Sequence, residues 1–530
     1  MGHGRGGISS DSCSVRGMIY AVVLLVSGCL DSPHEVAKPP SVTHEPVASR
    51  RPTHAGSQGS VAKARPTEGE GLKEGLPSTV GKTASLVESP EVDTMAAGGD
   101  SGGRPSRPRW SPPAIDEERA RGSGLRKCSS RHLTLYTDLP ENAAVDELPA
   151  VFDGAVPQWC EYFEIGTDQA AAWHMTAYLM ADKDKFRRAG LLPDQLPPFL
   201  HGYQRDAELW LHEQPTDYYR RHLLLHEGTH AFMQWSLGAC GPPWYMEGVA
   251  ELLATHRWQD GKATLRYFPK SREETPHWGR IKIIRDDLAA NRGKLPEDVM
   301  QYDHAAHLNV EPYAWCWALA TFFDSDPFTQ PKFRELRRFT TGTESQFNEQ
   351  FRRWIEPEWP RLVRQWKVFV FNVEYGYSLA RELIEPKPTQ SLPAQGAEVT
   401  LAADRGWQST GIRLDAGTTY RFEASGRFQV ADQPKIWWCE PNGVTIRYHR
   451  GLPLGILLGA IVDEDDPSRD VTAWIHPDPL GLRRESTVDR SGTLYLRIND
   501  SPAELDDNAG ELTVHITAVP PAPAAGGTRR

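Results

Sequence analysis

The sequence predicts an α+β body followed by an all-β sandwich, both carried on a long unstructured leader. Three observations carry that expectation. The 530 residues hold 45 Gly and 42 Pro against a hydrophobic share of 39%, which is low for a globular chain. Pro, Gly and Ser crowd the stretch from Asp31 to Leu125, where Trp110 is the one aromatic residue, so this stretch has too little apolar area to offset its ordering entropy. Beyond it, helical and strand periods alternate as far as Pro386, and after Pro386 the helical period gives way to short alternating strands.

Composition sets outer limits on function. The length allows about three domains at roughly 100–200 residues each. A net charge of −11 argues against a nucleic-acid partner held through phosphate contacts. The seven cysteines lack the paired short spacings of a disulfide framework or a cysteine-rich metal site.

Met18–Ser27 is the one apolar run near the amino terminus, with Arg5 and Arg16 before it and Gly28-Cys29 after it. It is too short to span a bilayer and suits the apolar region of a secretory signal. Val26-Ser27-Gly28-Cys29 resembles a bacterial lipobox, which implies lipidation of Cys29 and a membrane-anchored, extracytoplasmic protein, periplasmic or at the cell surface. The other reading is an uncleaved anchor or a start at Met18. Export leaves Cys128, Cys160, Cys240, Cys316 and Cys439, an odd number, so at most two disulfides can form among them. The expected organisation is signal 1–29, tether 30–125, α+β body 126–385, linker 386–394, β-sandwich 395–520 and disordered tail 521–530.

Within the body, Arg131–Leu139, Trp173–Met180 and Glu208–His212 read as strands and Ala143–Phe163 as a helix. Asp217–Leu237 is a long helix closed by Gly238, a favoured residue just past a helix end. Pro242-Pro243 opens a further helix to about Trp258. The first of these two helices contains His226-Glu227-Gly228-Thr229-His230. Residues four apart share a helical face, so both imidazoles can address one ion while Glu227 lies beside the open coordination position. Flanking Leu223-Leu224-Leu225 and Ala231-Phe232-Met233 mark a buried helix, where two His and a Glu are costly unless satisfied.

Pro243-Trp244-Tyr245-Met246-Glu247-Gly248-Val249-Ala250-Glu251 follows. H-E-x-x-H with this downstream W-x-x-E-G-x-A-E helix resembles the gluzincin metallopeptidases of the peptidase MA clan, which include thermolysin-like enzymes. The resemblance implies zinc on His226, His230 and Glu247, with Glu251 orienting a ligand His from behind. It also implies a small mixed sheet beside the active-site helix, with 265–383 as the helical half of the cleft. The expected chemistry is hydrolysis of peptide bonds in a peptide or protein substrate by a zinc-activated water, with Glu227 as general base. Tyr313, in Glu311-Pro312-Tyr313-Ala314-Trp315, resembles the downstream Tyr that hydrogen-bonds the oxyanion in related enzymes; Tyr302, His304 and His307 compete for that role. His222 is expected to pack or support the site, since three successive turns of one helix cannot surround a tetrahedral ion. His256 is expected to cap its helix or face solvent. The resemblance also implies that the strand just before the motif helix, over 207–213, pairs with an extended substrate. No G-x-M-E-N exopeptidase signature precedes His226, which favours an endopeptidase.

After the Pro-rich linker, Glu398–Ala402, Gly411–Leu414, Thr419–Ala424, Leu494–Ile498 and Glu511–Thr517 alternate as strands, the pattern of a β-sandwich. Acidic residues outnumber basic ones here. Asp500, Asp507 and Asn508 in the final turn offer hard oxygens of the kind calcium prefers. The run Asn499-Asp500-Ser501-Pro502 through Asp507-Asn508-Ala509-Gly510, with Trp407, Ala424-Ser425-Gly426 and Leu457–Ile461, resembles the PA-IL type of calcium-dependent galactose-binding lectin. That resemblance implies calcium on the side chains of Asp500, Asp507 and Asn508 and on the carbonyl of Glu504, with a carbohydrate ligand. Ile436–Gly443 does not reproduce the lectin's sugar-contacting pattern. The alternative function is a non-catalytic surface or adhesion protein in which the protease fold is structural. Glu227 discriminates between the two, because a binder needs no base between its His residues.

Overall fold

A computed structural model describes residues 110–305 and 309–520. Cys29, most of the expected tether, His307 and the carboxyl-terminal tail lie outside the described residues. Among those described, no helix is long and apolar enough to cross a membrane, and all five cysteines are free thiols.

The chain is mixed α+β with several sheets. The first sheet contains β1 (Arg126–Ser129), β2 (Leu133–Thr137), β3 (Met175–Met180), β4 (Gly202–Arg205) and β5 (Glu208–His212), in the spatial order β1-β2-β3-β5-β4. Its three central strands run parallel, and β1 and β4 close the edges antiparallel. β3 is buried along its whole length and reads as a continuous apolar run, as a central strand should.

Helices Leu148–Phe163, Asp217–Leu237, Pro243–Ala254 and Glu311–Ser325 share one core with this sheet. The expected helix over 143–163 is broken at Glu147 into Ala143–Asp146 and Leu148–Phe163, with Pro149 where a helix start tolerates it. The helix opened by Pro243 stops at Ala254 rather than near Trp258, and the chain turns into the hairpin β6 (His256–Gln259) and β7 (Lys262–Leu265). His256 is therefore buried, contrary to expectation. Its Nδ1 lies 2.8 Å from the Ala254 carbonyl and its ring stacks on Tyr218 at 4.6 Å.

The expected tether also ends sooner than residue 125. Glu117–Gly122 is a helix capped by Asp116, and Ala120 and Leu125 are buried with Tyr136, Phe186 and Trp210. The apolar positions that do this are too sparse to register against the Pro- and Gly-rich stretch before them.

The second body contains β8 (Gln390–Ser391), β9 (Ala397–Ala402), β10 (Gln408–Leu414), β11 (Thr419–Ser425), β12 (Phe428–Ala431), β13 (Trp437–Cys439), β14 (Asn442–His449), β15 (Leu452–Val462), β16 (Asp478–Pro479), β17 (Arg483–Thr487), β18 (Gly492–Ile498) and β19 (Glu511–Ala518). One sheet runs β14-β15-β18-β10-β8 and the other β17-β11-β19-β9, with β12-β13 as a separate ribbon. Inward residues such as Leu401, Phe422, Leu496 and Val514 fill the space between them. Part of the expected linker is strand β8, which pairs parallel with β10. Val368 and Ile384 from the first body share a buried cluster with Trp407, Leu458 and Tyr495 of the second, so the two bodies meet through apolar packing.

Candidate metal centre

The motif helix Asp217–Leu237 starts where the Thr216 side chain accepts from the Tyr219 amide, and it ends at Gly238 with φ +91°. It is buried on nearly every side, so each polar group on it needs a partner. Gly228, between Glu227 and Thr229, lies against the neighbouring helix. A Cβ there would come within 2.8 Å of the Trp159 ring, so a larger residue would push the two helices apart.

The two helices that follow β5 bring three donor atoms to one point. His226 Nε2 is 3.1 Å from His230 Nε2 and 3.1 Å from Glu247 Oε2, and His230 Nε2 is 3.4 Å from the same oxygen. All three residues are buried. Zinc bonds of about 2.0–2.1 Å meeting at tetrahedral angles would hold donor atoms about 3.3 Å apart. Elsewhere on these side chains, His230 Nδ1 is buried without a hydrogen-bond partner. Lone pairs facing one another at this distance repel unless a proton or a cation lies between them, so the cluster of His226, His230 and Glu247 could hold a metal ion.

Glu251 lies one turn beyond Glu247 and stands behind the cluster, as expected. Its Oε1 is 3.2 Å from His226 Nδ1. Arg280 donates to both of its oxygens at 2.8 and 2.9 Å. Burial opposes the Glu251 charge, but Arg280 and His222 outweigh it and hold this carboxyl well below the usual range. An ionised Glu251 places a proton on His226 Nδ1 and frees Nε2 as a lone-pair donor. His222 Nε2 approaches Glu251 at 3.4 Å, a supporting place rather than a third ligand on the same ion. Arg280 could not be singled out from sequence, because a lone Arg at a helix start has no spacing relation to the motif.

The cluster lies in a cleft of about 580 Å³ that Glu227, Tyr313, Val310 and Met246 also line. Burial pushes the Glu227 carboxyl up, against the pull of the two His residues. The Tyr313 ring stands 5.7 Å from the His226 ring, edge to face, with the Arg280 guanidinium 5.6 Å from its centre. Burial and the three carboxylates Glu247, Glu227 and Glu251 raise its hydroxyl far above the usual range, so it remains a donor. Among the competitors, the Tyr302 hydroxyl donates to Glu311 at 2.9 Å and does not line the cleft, whereas His304 lines the cleft and is exposed and paired with Glu344 at 3.0 Å.

The strand facing the cleft differs from the expected one. β5 is interior, paired by β3 on one side and β4 on the other, and β4 is the edge. Residues 201–204 of this edge line the cleft. Gly202 passes so close over Glu227 that a Cβ would meet its Cγ at 2.8 Å, which explains a glycine at this position. Gly202 had no recognisable signal in a strand of four half-buried residues.

In the sandwich, the structure brings Asp500 and Asn508 together and leaves two oxygens beside them unsatisfied. Asp500 accepts from the Ser501 amide at 2.7 Å and from Asn508 Nδ2 at 2.9 Å. Asp507 Oδ1 and Asn508 Oδ1 are buried without partners. Burial pushes the Asp500 carboxyl up to about 7. The Glu504 carboxylate turns away to Arg447 at 2.7 and 2.8 Å, leaving only its carbonyl for the loop. Orphaned hard oxygens of this kind fit a calcium ion. The loop also docks on the first body: Ser501 Oγ donates to Glu374 at 2.7 Å and Lys270 pairs with Asp506 at 3.0 Å.

No family model matches this chain, and no curated protein matches it. Among solved structures it is similar to one described as "EclA N-terminal domain; PllA-like lectin", at 23% identity and a TM-score of 0.18, over 23% of this chain and 95% of that one.

Proposed function

We propose that the α+β body is a thermolysin-like zinc metallopeptidase of the gluzincin kind, acting as an endopeptidase. The observation that supports this most is the triangle of His226 Nε2, His230 Nε2 and Glu247 Oε2, whose sides of 3.1–3.4 Å match a tetrahedral zinc site. Zinc, when bound, supplies a Lewis acid that polarises a carbonyl and makes water a stronger acid.

This chain's residues supply the rest. The backbone of β4 pairs with an extended peptide and sets its carbonyl over the cluster. Glu227, with a carboxyl raised by burial, takes a proton from the attacking water and returns it to the leaving amine nitrogen, so no net proton remains on the enzyme. The Tyr313 hydroxyl donates to the carbonyl oxygen as that oxygen gains charge. Glu251 and Arg280 hold His226 in the required tautomer.

In the same proposal, the protein is exported and anchored through a lipid on Cys29, and the sandwich binds calcium on the Asp500–Asn508 loop and a carbohydrate beside it. The test of the peptidase is metal analysis and peptide-library turnover of the full chain against Glu227→Gln. The expected result is equal zinc in both proteins and cleavage by wild type alone. Zinc in both with cleavage by neither would overturn the enzyme in favour of a surface-binding protein.

A further inference from the structure

The cleft over the metal cluster runs the length of the motif helix, and its two ends differ in chemistry. At the carboxyl end, past His230, Gln234, Gly238 and Cys240 line it together with Asp303, His304 and Glu344. The 340–344 turn is fixed at that end, since a Cβ on Gly238 would lie 3.3 Å from the Thr341 methyl group. At the amino end, before His226, the lining is His201, Tyr219, Leu223 and Arg280, with Glu251 behind them. The His201 and Tyr219 rings stand 6.1 Å apart, edge to face. Arg280 and His226 share Glu251, so this end adjoins the metal cluster directly.

The amino end is rich in donors and short of acceptors. A guanidinium carries five N–H donors, and Arg280 engages Nε and Nη2 with Glu251 at 2.9 and 2.8 Å and Nη2 with the Tyr219 hydroxyl at 3.4 Å. Its Nη1 has no partner among the described residues. Arg280 is only 5% exposed, yet Nη1 is not sealed from the cleft that the side chain lines. The Tyr219 hydroxyl accepts from Arg280, and no described residue accepts its own proton. Glu251 cannot serve these donors, because its oxygens already face Arg280, His222 and His226. At His201 the charge that registers is positive: burial first and Arg280 second hold the imidazole below its ordinary value, and no carboxylate among the described residues counters them.

We propose that this end of the cleft takes an acidic side chain, Glu or Asp, next to the scissile bond, with its carboxylate on Arg280 Nη1 and the Tyr219 hydroxyl and its methylene stem on Leu223. The inference rests on the peptidase reading and names its substrate class. A carboxylate gives both donors a charged acceptor. An apolar side chain would shut them away from water unpaired, and a site built to hydrogen-bond a substrate group rejects the analogue that lacks it. A Lys side chain would meet Arg280 as a like charge, and the acidic Asp303 and Glu344 lie at the other end.

The test uses the zinc-loaded full chain and blocked peptides that differ only in one residue beside the cleaved bond, Glu, Gln, Leu or Lys. The Glu peptide should exceed its Gln counterpart in kcat/KM by about tenfold, the gap between a charged and a neutral hydrogen bond, and the Lys peptide should be the poorest. The same peptides are titrated calorimetrically into Glu227→Gln, where the Glu peptide should again bind tightest. Tyr219→Phe, checked for an unchanged melting curve, should lower the Glu-to-Gln ratio several-fold, and Arg280→Met should bring it close to one. The ratio is compared within each protein, so weaker metal binding in Arg280→Met leaves it readable. Cleavage or binding that favours Gln or Leu over Glu, or a ratio unmoved in both variants, would overturn the acidic pocket and leave the peptidase standing. Tighter binding of the Glu peptide with no cleavage of any peptide would keep the pocket and overturn the peptidase.

Discussion

The candidate metal cluster of the first body takes its three donor atoms from two helices packed against each other and against a third element, so each donor has a position fixed by the core. The candidate calcium loop takes its oxygens from one turn between β18 and β19, and its main supports are its own backbone amides and the docking of Ser501 and Asp506 on the first body. In the helices, the donors already face one another, with Glu251 and Arg280 behind them. In the loop, Asp507 and Asn508 each hold an unsatisfied oxygen that waits for a partner. On the proposed reading, the first arrangement suits chemistry that demands fixed geometry, and the second suits reversible occupancy.

The sharpest way to break this contrast is at Glu227. Glu227→Gln is close to isosteric and leaves the three donors in place, so zinc content should stay unchanged while kcat falls by about 10³-fold, within the usual range for loss of a general base. His230→Ala should instead lose the metal, measured by atomic absorption after dialysis. If Glu227→Gln loses zinc as His230→Ala does, Glu227 is holding the site together and the division into ligands and base is wrong.

Tyr313→Phe comes next. Removing one donor to a developing oxyanion costs about 10²–10³ in kcat, and KM should move little, because the hydroxyl works only as charge develops. A rise in KM with kcat unchanged would make Tyr313 a wall of the cleft instead. Glu251→Gln tests the support behind the cluster. Loss of an outer carboxylate typically lowers metal affinity by about 10–100-fold, readable in competition with a chromophoric chelator. An unchanged zinc affinity would detach Glu251 and Arg280 from the site.

These same residues show what the sequence could convey. His226 and His230, with Glu247 and Glu251 on the next helix, were legible because both pairs are four apart, and helical periodicity converts that spacing into a shared face. The spacing across the two helices was legible only through the resemblance. Gly202 and Arg280 were hidden, since an edge strand of four residues and a distant helix start reach the site through tertiary packing and have no local pattern. β5 is the strand just before the motif helix, where the resemblance places the substrate-pairing strand, but it lies between β3 and β4, and the edge is the less apolar β4. A helix running on to Trp258 would have His256 cap its end or face solvent. When the chain turned at Thr255, the residue fell inside. In the sandwich, the loop oxygens stand close in sequence, so their grouping was visible. What the loop packs against was not.

The smallest expected effect tests the loop. Without calcium, Asp500 is buried and its carboxyl sits at about 7, so Asp500→Asn removes a charge that already favours its neutral form and should change the melting temperature in EDTA only slightly. Adding calcium should separate the two proteins. A ligand at 100 times its Kd stabilises a folded state by about 2.7 kcal/mol, which wild type should gain and Asp500→Asn should not. Zinc content and peptidase activity should be equal in both. Because Ser501 and Asp506 of this loop are docked on Glu374 and Lys270, the stabilisation should appear in both bodies, as one shifted transition rather than a shift in the sandwich alone. A calcium effect that leaves the first body's unfolding untouched would show that the docking contacts do not couple the two bodies.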